Sequence, residues 1–144
     1  MAREETTTKK DEVLTIEGKG RDMLGRRNKG TLIIAGDVGD NVGYEQRKTG
    51  TITVNGNAGD DVGERNEGTI TVNGNAGKGV GTINDGTITV NGNAGDNVGE
   101  SNEGTIMVFG TIKSLSKGAS DRKSKILAID IEEDHGLPWR KYRE

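Results

Sequence analysis

The chain contains no cysteine, so it has no disulfide framework, no thiolate metal site and no cysteine nucleophile. Aromatic residues make up 3% of it and apolar residues 29%, against roughly 45–50% apolar in an ordinary globular domain. A conventional layered core is hard to build from so little. Long hydrophobic runs are missing too: none approaches membrane-spanning length, and the opening MAREETTTKKDE lacks the apolar stretch of a secretion signal. Nor is there an excess of basic charge. The net charge is −3 with both signs interspersed, although the tail holds a small basic cluster at Arg140, Lys141 and Arg143. These absences predict a soluble, cytoplasmic protein with no nucleic-acid and no membrane partner.

What is present is repetition. TITVNGNAGDDVG (Thr51 to Gly63) returns as TITVNGNAGKGVG (Thr69 to Gly81) and as TITVNGNAGDNVG (Thr87 to Gly99). Counted from the glycine before each TI pair, units start at Gly50, Gly68, Gly86 and Gly104, 18 residues apart. Two weaker copies precede them. One starts at Glu12; the next, at Gly30, is 20 residues long, its two extra residues lying between Gly43 and Gly50. Six units thus run from Glu12 to about Asp121, the last decaying after Ile112. Low hydrophobicity can signal disorder, but here Ile and Val recur on a fixed schedule, which marks an ordered repeat.

Each unit opens with a strand pattern. In Thr51-Ile52-Thr53-Val54 alternation sends Ile52 and Val54 to one face and the β-branched threonines to the other. Two inward ladders follow: Leu14, Leu32, Ile52, Ile70, Ile88, Ile106 and Ile16, Ile34, Val54, Val72, Val90, Val108. A unit of this size cannot bury its own apolar face, so it must stack on its neighbours. Parallel β-helix coils do this, one strand every ~4.8 Å. A left-handed hexapeptide helix would place an apolar-glycine pair at every sixth residue. The glycines here follow spacings of six, three, four and five, which favours the right-handed form. The expected fold is therefore all-β: a single-stranded right-handed parallel β-helix of about six coils with a capping C-terminal tail. Residues 1–11 form a charged leader or cap, 12–121 the repeat domain, and 122–144 a last strand, Ile126 to Ile131, with a tail.

The glycines follow the pattern Gly-x-x-Gly-x-x-x-Gly: Gly36-Gly39-Gly43, Gly56-Gly59-Gly63, Gly74-Gly77-Gly81 and Gly92-Gly95-Gly99. They are expected either to form left-handed corners or to let backbones approach closely. The pattern resembles the C-terminal β-helix domain of the glutamate synthase large subunit, and is similar to the β-helical subunit of formylmethanofuran dehydrogenase. The resemblance covers about residues 12–112. It implies a right-handed β-helix on which catalytic domains or subunits lean, with no catalytic residue and no cofactor of its own. Nothing in the chain resembles the amidotransferase or flavin-binding parts of glutamate synthase. In the end units Arg21, Lys113 and Lys117 replace motif glycines, as divergent capping coils would.

Candidate chemistry is sparse. Asp22, Asp40, Asp60 and Asp96 fall in one column, interrupted by Lys78. Carboxylates one coil apart could share a Ca²⁺ or pair as acid and base, but the reading favoured is a solvated turn column in which Lys78 relieves the repulsion. No catalytic or metal site is expected, and no enzyme activity. Asn28, Asn66, Asn84 and Asn102 share a position from which amides can hydrogen-bond along the axis. Asn55, Asn73 and Asn91 are expected to serve the turn after the strand. The pairs Thr51 and Thr53, Thr69 and Thr71, Thr87 and Thr89 form an exposed face of the kind β-helical ice-binding proteins present to water. In the tail, Leu137, Trp139 and Tyr142 are candidates for docking a partner, Trp139 being either an anchor or a lid on the last coil. His135 is expected at the surface. The function expected is a non-catalytic scaffold whose rigid faces bind protein subunits, with self-assembly into homo-oligomers or filaments as the alternative.

Overall fold

The computed structural model describes residues 6–119 and 123–141. Eight strands form one parallel sheet in sequence order: β1 (Val13–Glu17), β2 (Thr31–Ala35), β3 (Thr51–Asn55), β4 (Thr69–Val72), β5 (Thr87–Val90), β6 (Thr105–Ser114), β7 (Lys125–Glu133) and β8 (Arg140–Lys141). The chain is a β-solenoid of about 7 turns. That is one more than the six units legible in the repeat. Beyond Ile112 the solenoid continues through β7 with the periodic glycines gone, because inter-coil pairing needs only register and a residue that fits inward.

Register follows the two ladders without slip from β1 to β5. Leu14 pairs Leu32, then Ile52, Ile70, Ile88 and Ile106; Ile16 leads through Ile34, Val54, Val72 and Val90 to Val108. From Leu32 and Ile34 onward these side chains are at most 1% exposed through Ile106 and Val108. Full burial of each contributes ~1.5–3 kcal/mol, which lets a thin stack stand in for a broad core. Leu24, Val42, Val62, Val80 and Val98 close the core from the opposite wall.

The three motif glycines divide the two expected tasks. Gly59, in the second column, donates its N–H to Gly39 and accepts from Gly77; a Cβ there would run into the Asp40 carboxylate. The third column is the left-handed one: Gly63 has φ +73°, and a Cβ there would strike the end of Ile88. Two further left-handed positions per coil fall on other residues. Met23, Asn41, Asp61, Gly79 and Asn97 form one such column; Arg27, Glu45, Arg65, Ile83 and Ser101 form the other. Asn and Asp tolerate this region, whereas a β-branched residue such as Ile83, φ +54°, does so at a cost.

The two ends differ. At the C-terminal end β6 and β7 run on past a register shift between Val108 and Thr111, and Ile112 pairs with both Ala94 and Ile131. Leu115 pairs with Val98, and Ser116 donates to Val98 O as Gly99 does to Val80 O. Ser116, not Lys117, therefore occupies the third-glycine position, because the last coil is one residue shorter there. At the N-terminal end Thr6 O accepts from Gly25 N and Thr8 O from Lys29 N. Among the described residues no helix is long and apolar enough to cross a membrane.

Candidate functional site

Stacked coils turn each repeat position into a column, and three polar columns define the polar chemistry of the solenoid. The first is interior. From Thr8 the column climbs through Asn28, Gln46, Asn66, Asn84 and Asn102 to Ser124, and its Thr, Asn and Gln members are at most 4% exposed. Asn66 shows how it closes: its Nδ2 donates to Asn84 Oδ1 and to Gly68 O, both at 3.0 Å. Its Oδ1 accepts from Gln46 Nε2 at 2.9 Å and from Gly68 N at 3.0 Å. Gln46 was not evident as a member from sequence. It sits where the two-residue insertion begins, and its extra methylene carries the amide back to the column. The signal was its offset from Gly30, which equals that of Asn66 from Gly50.

The second column corrects an expectation. Asn55, Asn73 and Asn91 do more than end a strand: Nδ2 of Asn73 donates to Asn55 Oδ1, and Nδ2 of Asn91 to Asn73 Oδ1, each at 2.7 Å. They stand exposed on the outer side of the sheet, in line with the threonines. Thr51, Thr69 and Thr87 are directly paired, as are Thr53, Thr71 and Thr89. All are half-buried except Thr69, which is exposed. The outer face is thus three columns wide, Thr-Thr-Asn on each of three rungs. Ile33 and Met107 bound it at the ends of the middle column.

The third column is acidic and committed to the backbone. Asp22 Oδ1 accepts the N–H of Asp40, Asp40 that of Asp60, and Asp60 that of Lys78, at 2.7 to 3.0 Å. Asp96 accepts from the Ser114 hydroxyl. Beside it, Asn57, Asn75 and Asn93 accept the N–H of Asn75, Asn93 and Thr111, each at 2.8 Å. Asp61 is held above the usual carboxylate range by partial burial and then by the charges of Asp60 and Asp40, against the opposing pull of Lys78. No group of three or more His, Asp or Glu among the described residues could hold a metal ion.

Trp139 lies in the tail, and the tail folds back on the chain. Leu127 pairs with Arg140, so Trp139, one residue earlier, lies over Ile126 at the head of the first inward ladder. Its indole Nε1 donates to Asp134 Oδ2 at 2.8 Å. The Gly136 N–H and this indole bond hold the Asp134 carboxyl below its ordinary range. Leu137 also packs against the core, while His135 is exposed and lies 3.4 Å from Glu133. Tyr142 lies outside the described residues. Searches against protein families, characterised proteins and solved structures return no match to the chain.

Proposed function

We propose that the protein is a non-catalytic scaffold whose Thr-Thr-Asn face docks a protein subunit. The observation that carries this reading is how the polar groups are used. Carboxylates of the acidic column are occupied by backbone N–H groups, and the asparagines of the outer column satisfy one another. The threonine hydroxyls between them make no hydrogen bond among the described residues. They stand at one-coil intervals on a sheet held from both sides, so a partner meets donors and acceptors already in place, with little ordering entropy to lose. Trp139 supports the same choice of surface, since it is turned inward over Ile126. The resemblance to the glutamate synthase β-helix points to a subunit of a multi-subunit oxidoreductase as the partner.

The test is recovery of the tagged chain from its host, quantified against a tag-only control and against the Thr53→Lys/Thr71→Lys/Thr89→Lys variant. The expected result is near-equal recovery of an amidotransferase, a flavin-dependent synthase or a molybdenum or tungsten enzyme subunit, lost in the variant. Recovery of no such subunit, or recovery that the variant leaves unchanged, overturns the proposal.

A further inference from the structure

Among the described residues the inward ladders are closed at one end and open at the other. Trp139 lies over Ile126 at the C-terminal end; at the N-terminal end Leu14 and Ile16 are only partly buried, although their successors Leu32 and Ile34 are 0% exposed. The described part of the leader, from Thr6 onward, does not supply the missing lid. Its Thr6 and Thr8 bond to Gly25, Asn28, Lys29 and Gly30, on the wall that carries the buried amide column. Among the described residues, β1 is therefore a bare edge.

Which backbone groups it presents follows from two bonds. Glu12 O accepts from Thr31 N, and Gly18 N donates to Ala35 O, both at 2.8 Å. Alternation along a parallel strand then turns Leu14 and Ile16 toward β2, and leaves the N–H and C=O of Val13, Thr15 and Glu17 pointing away. The side chain of Val13 is 67% exposed beside this row. An unpaired, unbulged strand edge over an unfinished apolar end is a template for another strand.

We propose that a second copy of this chain occupies the edge, β1 against β1, in a closed head-to-head dimer about a two-fold axis at Thr15. Antiparallel pairing in that register satisfies every outward N–H and C=O of Val13, Thr15 and Glu17. Leu14 of one copy then lies opposite Ile16 of the other, on the inward side, so the two cores join end to end. Glu17, opposite Val13 of the other copy, has Lys19 of its own chain 3.3 Å away, and both of these side chains are exposed. Head-to-tail growth is disfavoured by the other end. There, among the described residues, β8 offers Arg140 and Lys141, follows Pro138 with no N–H to give, and stands beside the Trp139 lid. An isologous contact closes, so the product is a dimer and not a filament. This association is independent of what the threonine face binds.

Sedimentation equilibrium of the full chain across a micromolar to millimolar series tests it. The expected mass is twice the 15.3 kDa of one chain. Thr15→Pro removes an N–H that β2 does not use, so the variant is expected to sediment as a monomer with its circular dichroism retained. Val13→Glu sets a carboxylate against Glu17 of the other copy and is expected to weaken the dimer about tenfold, which keeps the test open if the proline variant misfolds. Thr15→Cys supplies the only thiol in the chain and is expected to give a covalent dimer on mild oxidation. A monomer at every concentration, a ladder of growing masses, or a dimer insensitive to Val13→Glu and uncrosslinked at residue 15 overturns the proposal. Failure here leaves the threonine face untouched, and loss of partner capture there leaves the dimer mass unchanged.

Discussion

Two columns of side-chain amides run along this solenoid, one through most of its coils and one on three rungs, each linked from coil to coil. In the inner column Asn66 reaches Asn84 at 3.0 Å; in the outer one Asn91 reaches Asn73 at 2.7 Å. Bond length alone would rank the outer column as the stronger. Burial reverses that ranking. Water can replace any bond of the outer amides, whereas no water competes for the inner ones, so a missing partner there strands a buried donor or acceptor. The inner column is structural; the outer one is a surface.

The contrast is broken most directly by Asn66→Ala. It strips partners from Gln46 Nε2, Asn84 Oδ1 and both backbone groups of Gly68. Gln46 Nε2, Asn84 Oδ1 and Gly68 O each keep a second partner, and the Gly68 N–H alone is left unpaired; a loss of about 2–3 kcal/mol is expected in urea unfolding, given ~1–3 kcal/mol for a buried group left unpaired. Gln46→Asn probes the insertion: the shorter side chain falls short of Asn28 and Asn66, and a loss of about 1–2 kcal/mol is expected by the same measurement. Ile83 precedes Asn84 and holds a left-handed φ that Ile resists. Ile83→Asn is expected to raise stability by ~1 kcal/mol, read as a higher thermal midpoint. The smallest effect belongs to the outer column, where Asn73→Ala is expected to change stability by less than ~0.5 kcal/mol. If Asn73→Ala proved as damaging as Asn66→Ala, burial would not be what separates the columns.

The ends offer a second contrast, and pH reads it. The C-terminal lid uses an ionised Asp134 as acceptor for the Trp139 indole. A carboxyl held below its ordinary value contributes stability above the unfolded value and loses it as pH falls through the lower, folded one. Trp139 fluorescence is therefore expected to stay constant through the ordinary carboxylate range and to change only below it. A transition at or above that range would mean that the lid does not depend on Asp134.

Much of this was legible in the residues. The period assigns Ile52, Ile70 and Ile88 to one column without any structure, and the strand start is written in Thr-Ile-Thr-Val. Less was legible where the period lapses. Ile131 and Trp139 belong to the stack but follow no spacing, and Ser116 takes the place expected for Lys117. The column of Asn55, Asn73 and Asn91 was visible as a repeat, yet its place on the threonine face was not.

The sequence by itself determined the columns: which residues share a position, and that the coils must stack because none can bury its own face. Only the tertiary structure decided which of the asparagine columns is buried and which lies on the threonine face, which glycine takes the left-handed turn, and, among the described residues, which end of the core is covered. The reason is physical. A repeat period is a property of the covalent chain, whereas burial and backbone handedness are set by bonds between residues 18 or 20 apart, which exist only once the coils have closed on one another.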